Sequence, residues 1–128
     1  MTIAVDDLSG SPQTISNDIT NLSIAMPSGV QDVTGVNSSG MERLMLLGDL
    51  SVTMNGVFND AANMSHVVFK THVIFASQVG RTTTITHSGQ VLADELIYPN
   101  YDLTRAQDGS LVWTVTGQLS DGGLPAWS

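Results

Sequence analysis

Apolar and polar residues alternate at period two along most of the chain, and Thr, Ser, Val, Ile and Leu are its abundant residues. That combination suits strands with one buried and one wet face, so an antiparallel β protein is expected. Ile3 to Asp6 is a short strand ended by the turn Ser9-Gly-Ser-Pro12. Leu22, Ile24 and Met26 then share one face until Pro27-Ser-Gly29 stops the run. Leu50, Val52 and Met54 alternate with Ser51, Thr53 and Asn55 in a further strand. Met41 to Leu47 reads equally well as a helical turn or as the start of a strand, because short apolar runs do not separate the two. The polar stretch Gln31 to Gly40, rich in Gly, Ser, Asn and Asp, reads as a surface loop. Asn59-Asp60 offers an N-cap for one helix over residues 61–71.

The second half reads as two hairpins. Arg81 to His87 and Gln90 to Tyr98 are joined by a short loop at Ser88-Gly89. For the last hairpin two registers compete. A two-residue turn at Asp108-Gly109 sets Leu103 opposite Thr114 and mixes apolar with polar side chains. A three-residue loop, Gln107-Asp108-Gly109 with Gly109 left-handed, sets Leu103 opposite Trp113 and Tyr101 opposite Val115. The second register sorts the faces, gathering Tyr101, Leu103, Leu111, Trp113 and Val115 as a hairpin core. The reverse face then carries Asn100, Asp102, Thr104, Val112, Thr114 and Thr116, and alternation alone reads it as a solvated sheet face.

Charge changes this picture. Only 12% of the 128 residues are charged, against about a quarter in a typical soluble domain, and twelve acidic residues oppose four basic ones for a net −8. Four scattered cations cannot form the basic stripe that grips phosphate. The length suits one domain over residues 1–128. Cysteine is absent, which removes disulfides, thiolate metal sites and Cys nucleophiles together. Met1 to Asp7 lacks a basic and apolar signal pattern, and no apolar run approaches the roughly twenty residues of a membrane-spanning helix. No membrane insertion is expected.

Candidate chemistry is sparse. His66 and His72 stand six apart, off one another's helical face, and His87 sits at a hairpin turn, so no metal box is expected. The acidic residues lack the spacing of a calcium loop, the glycines lack a phosphate-binding loop, and no nucleophile-elbow sequence is present. No catalytic residue, metal or cofactor is expected. A surface of hydroxyls and amides is cheap to desolvate, and with one Lys and four Pro the sheet edges are poorly defended. Edge strands are therefore expected to pair with further copies of the chain.

Certain runs carry a resemblance. Asn100-Tyr-Asp-Leu-Thr-Arg105, Asp108-Gly-Ser-Leu-Val-Trp-Thr114, Gly117-Gln-Leu119 and Pro125-Ala-Trp127 are joined upstream by Met41-Glu-Arg-Leu44, Leu50 to Asn59 and Met64 to Thr71. In this order and spacing, from the Asp18-Ile19 region to Trp127, the chain resembles the major tail (tail tube) proteins of long non-contractile-tailed bacteriophages, especially those of actinobacterial hosts.

The resemblance implies a mainly β subunit, an antiparallel β-sandwich or partly open barrel with one flanking helix at about residues 61–71. Six subunits would form a ring, and stacked rings would form a virion tail tube lined by strands from each copy. It implies a structural role without turnover, assembly in the host cytoplasm, and double-stranded DNA as passing cargo. Tail terminator, tape-measure and tail-tip proteins are the implied further partners. Asp94, Asp102, Thr104, Thr114 and Thr116 match as channel-facing residues of an acidic, hydroxyl-lined wall that repels the polyanion. The polar, flexible composition of Gln31 to Gly40 makes Gln31, Asp32, Asn37, Ser38 and Ser39 candidates for an inter-ring loop that orders on ring stacking. Alternatives are another phage structural β protein, such as a tail-end or capsid decoration subunit, and a carbohydrate-binding β-sandwich. The latter expects exposed aromatics, of which 5% of the chain offers few.

Overall fold

The computed structural model describes residues 1–37, 39–71, 80–120 and 122–128. Ten strands occur there: β1 (Thr2–Asp6), β2 (Pro12–Thr14), β3 (Ile19–Ala25), β4 (Ser28–Asp32), β5 (Arg43–Gly48), β6 (Ser51–Val57), β7 (Arg81–His87), β8 (Gln90–Ile97), β9 (Tyr101–Arg105) and β10 (Leu111–Leu119). One short helix, α1 (Ser65–Phe69), follows β6. Eight strands form a single sheet in the order β2-β1-β7-β8-β10-β6-β3, with β9 also on β10, while β4 and β5 form a separate two-stranded sheet. Every pairing is antiparallel. The fold is mainly β as the alternation predicts, and the sheet does not close into a barrel.

Period-two patterning decides what is buried. In β6, Val52, Met54 and Gly56 are buried between half-exposed Ser51, Thr53 and Asn55, and β7 repeats the pattern with Arg81, Thr83 and Ile85 inward. Ile3 and Val5 of β1 join Met54, Trp113 and Val115 in one core, although four strands separate β1 from β3 in the sheet. The sheet therefore curves around its own apolar face. Trp113, Tyr98 and Phe69 are the largest fully buried side chains. Phe69 lies 5.2 Å from the Trp113 ring and 5.3 Å from Tyr98, so the helix caps the open end of the curve with an aromatic contact. Each such side chain contributes about 1.5–3 kcal/mol through burial.

Both hairpin predictions hold. Ser88 and Gly89 have φ of 52° and 80°, the left-handed pair of a two-residue loop closed by His87 opposite Gln90. In the last hairpin Leu103 lies opposite Trp113 and Tyr101 opposite Val115, with Gly109 at φ 93°. The Ala106 amide donates to the Ser110 carbonyl at 2.8 Å to close the three-residue loop.

The helix is shorter than the expected 61–71. The Asn59 side chain accepts the Ala61 amide at 3.0 Å in a local turn, and Asn63 takes φ 64°, so helical geometry starts only at Ser65. Its first amide is satisfied from afar, by the buried Asp18 carboxylate at 3.1 Å. Arg81 secures the other end through Nη1, which donates to the Val68 carbonyl and Thr71 Oγ1. The expected loop at Gln31 to Gly40 is also corrected: Gln31 and Asp32 belong to β4, opposite Leu44 and Arg43 of β5. Met41 to Leu47 resolves as strand from Arg43 onward. Strand β2 and the 3-10 turn Ser16–Asp18 escape the periodicity because each spans three residues.

Candidate assembly surface

Four strands, β9-β10-β6-β3, make a continuous ribbon with free edges. Among the described residues β9 pairs only with β10, and β3 only with β6. Residues opposite one another in an antiparallel ladder share a face, so the registers define rows. On the side away from the core one row reads Asp102, Thr114, Asn55, Asn21, and the next reads Thr116, Thr53, Ser23. Thr104 and Val112 stand beyond them towards the hairpin tip. None of these side chains is buried. The surface is knit by hydrogen bonds: Thr114 Oγ1 donates to Asn55 Oδ1 at 2.8 Å, and Asn100 Nδ2 donates to Asp102 Oδ2 at 2.7 Å. Among its described residues, Asp102 is the only ionisable group on this hydroxyl and amide wall.

The structure brings Asp102, Thr104, Thr114 and Thr116 together on that wall but separates Asp94 from them. Asp94 stands opposite Thr83 and shares its face with Leu92 and Leu96, both buried. It therefore points to the core side, and no single surface holds all five. The strand pattern of Gln90 to Ile97 carries this signal, since Leu92, Asp94 and Leu96 fall on the same parity. Of the hairpin core residues, Trp113 and Val115 are fully buried and Tyr101 and Leu111 half-buried. Leu103 remains 44% exposed, since β9 is an edge strand paired, among the described residues, with β10 alone.

The β4–β5 hairpin forms an arm. Val30 lies opposite Met45, and both faces of β5 are apolar and exposed, with Leu44 and Leu46 on one side and Met45 and Leu47 on the other. Leu47 is 93% exposed. A two-stranded hairpin is marginal in isolation, and apolar exposure of this kind marks a contact surface. Towards the tip, Asp32 Oδ1 accepts Thr34 Oγ1 and the Thr34 amide at 2.5 and 2.9 Å, which lowers the Asp32 carboxyl from its ordinary value. Asn37 and Ser39 are exposed at the tip, and Ser38 lies outside the described residues.

Chemical groups elsewhere are structurally engaged. His66 lies 4.6 Å from the Phe58 ring, and its Nδ1 is 3.1 Å from Tyr101 Oη. Burial, with the charge of Asp18, pushes the Tyr101 hydroxyl up to about 12. Burial also raises Tyr98, against the hydrogen bond to Thr83. Among the described residues no group of three His, Asp or Glu side chains could hold a metal, and no helix is long and apolar enough to cross a membrane. His72 and Asp121 lie outside the described residues.

Three solved structures share this architecture. A chain from the tail of an empty GTA (gene transfer agent) particle, refined helically with C6 symmetry, superposes at TM-score 0.75 with 20% identity, over 100% of this chain and 95% of that one. The chain shares the fold of that tail chain. A chain of the native gene transfer agent virion gives 0.70 at 19% identity, covering 98% and 95%. A chain of the anti-feeding prophage baseplate, six-fold symmetrised, gives 0.60 at 9%, covering 99% and 91%. No protein-family description and no curated protein matches the sequence. The tail-type fold, with its free-edged ribbon and apolar arm, therefore frames the functional reading.

Proposed function

We propose that the chain is a structural virion protein, the self-assembling subunit of a phage-type tail tube. The single observation that carries this reading is the four-stranded ribbon β9-β10-β6-β3, free at both edges and polar on its outer face. Edge-to-edge joining of such ribbons is heterologous, the same two unlike edges meeting at every contact, and a heterologous contact that closes gives a ring. Six copies fit the C6 symmetry of the similar gene transfer agent tail and the six-fold symmetry of the similar baseplate. The outer face would then line a channel, with Asp102, Thr104, Thr114 and Thr116 towards the lumen.

The chemistry of that wall suits passage. Hydroxyls and amides hold water, and one carboxylate per copy repels a polyanion without a cation to hold it. DNA would be cargo, and no residue here would bind it. The arm, apolar on both faces, would be covered by copies in the neighbouring ring, with tail-end and tape-measure components as further partners. Activity as an enzyme has no role in this reading.

Sedimentation velocity across concentrations tests self-assembly: large species that grow with concentration support it, and a single monomer boundary throughout contradicts it. The likeness to a baseplate chain favours one second reading, a tail-end subunit. That reading predicts single rings that do not stack.

A further inference from the structure

Across the ribbon, Leu103, Trp113, Gly56 and Ile19 form one row on the core side, and Tyr101, Val115, Met54 and Leu22 form the next. The two ends of these rows are unlike. At the β9 end Leu103 projects 44% exposed beside fully buried Trp113. At the β3 end an open groove of about 260 Å³ lies between β3 and the N-terminal strand, with Met1, Ile3, Ile19 and Leu22 among its walls. The register shifts at Thr20, between Ile19 and Asn21, a bulge of the kind that bends an edge strand away from its ladder. Thr20 Oγ1 turns back to the Asn55 carbonyl at 3.2 Å.

We propose that Leu103 of one copy seats in the β3 groove of the next, making the apolar core continuous across the subunit boundary. This rests on the ring reading above. Three antiparallel pairings separate β9 from β3, so the two edges run in opposite directions, and β9 of a second copy laid on β3 continues the antiparallel alternation. Because facing residues share a side, Leu103 then falls on the same side as Ile19 and Leu22, and an in-register ladder between copies sets it opposite Ile19. A projecting apolar side chain at one edge and a recess walled by Met1, Ile3, Ile19 and Leu22, with Ser16, Thr20 and Asn21 at its polar rim, at the other are self-complementary only between copies, which commits the occupant to a second copy of this chain. A buried apolar anchor of this type fixes register where backbone hydrogen bonds alone would permit slippage.

The absence of cysteine makes the test clean. Within one copy positions 19 and 103 lie three strand spacings apart, about 14 Å, beyond the roughly 7 Å between Cα atoms that a disulfide spans. The double variant Ile19→Cys/Leu103→Cys, oxidised after assembly, should give a ladder of covalent oligomers on non-reducing gels that collapses with reductant, while each single variant, with no cysteine opposite its own, should run as monomer. Rings or tubes without a ladder overturn the Leu103 contact and leave the ring reading standing. No assembly by the unmodified chain overturns both. Leu103→Asp should keep the thermal unfolding of the monomer and lose assembly, and assembly equal to the parent's overturns the proposal.

Discussion

The Asp18 carboxylate accepts the Ser65 amide at 3.1 Å across 47 positions of sequence, and its second oxygen accepts Asn59 Nδ2 at 3.0 Å. One buried acid thus starts the helix and pins the loop before it. Replacing it by Ala leaves the buried Ser65 amide and the half-buried Asn59 side chain without this acceptor, and a hydrogen bond to a charged group contributes about 1.5–3 kcal/mol. Asp18→Ala should lower the urea midpoint by a stability loss of that size with an unchanged m-value. An unaltered midpoint would show that the carboxylate does not hold the helix.

Gly56 lies beneath the Trp113 indole, and a Cβ there would overlap both the ring and the Asp18 carbonyl oxygen. Gly56→Ala should therefore destabilise by about 1–3 kcal/mol, the usual range for overpacking. Near-UV circular dichroism should report a displaced Trp113. A neutral substitution contradicts the close approach.

Two neighbouring acids should respond to pH in opposite senses. Hydrogen bonds from Ser9, Gln13 and Ser11 hold the Asp7 carboxyl down at about 2, so its contribution is full above the unfolded value of 3.8 and is lost as pH falls towards 2. Asp6 is raised, by burial first and then by Glu95, so its ionised form opposes folding and protonation relieves that cost. NMR titration of the two carboxyls should give midpoints on either side of 3.8. Asp6→Asn should stabilise at pH 7, and Asp7→Asn should remove acid sensitivity of the Ser9–Ser11 turn. Coincident midpoints would contradict both assignments.

The hairpin registers were legible because turn chemistry and face sorting are local: only Gly109 in a three-residue loop sets Leu103 against Trp113. The helix start was not, because its amide partner Asp18 comes from another element and Asn63 breaks the turn that Asn59 suggests. Composition hid Gln31 and Asp32 in a loop, since polar residues on an exposed two-sided strand show no apolar period. Asp94 was misplaced for a different reason. Its parity with Leu92 and Leu96 is readable in the sequence, whereas its channel-facing place rests on the resemblance alone. The order that sets β8 and β6 on β10, beside its hairpin partner β9, is long-range pairing, which alternation cannot specify.

The arm yields a separate expectation. Leu47 is 93% exposed and Met45 71%, so Leu47→Asp should change monomer stability by less than about 0.5 kcal/mol. Assembly should then stop at single rings, as judged by electron microscopy. Normal tubes would place the stacking contact elsewhere.

Reversing the one charge on the hydroxyl wall separates assembly from passage. Asp102 is exposed on β9 and its carboxylate accepts a hydrogen bond from Asn100, so particles carrying Asp102→Lys should assemble normally yet deliver DNA poorly, because a cation now faces the polyanion. Delivery equal to the parent's would remove Asp102 from the lumen.

Negative-stain electron microscopy of the purified chain at high concentration tests self-assembly into a tail tube most directly. Tubes of uniform width with a central channel are the predicted result. Monomers without rings or tubes at every concentration would contradict it.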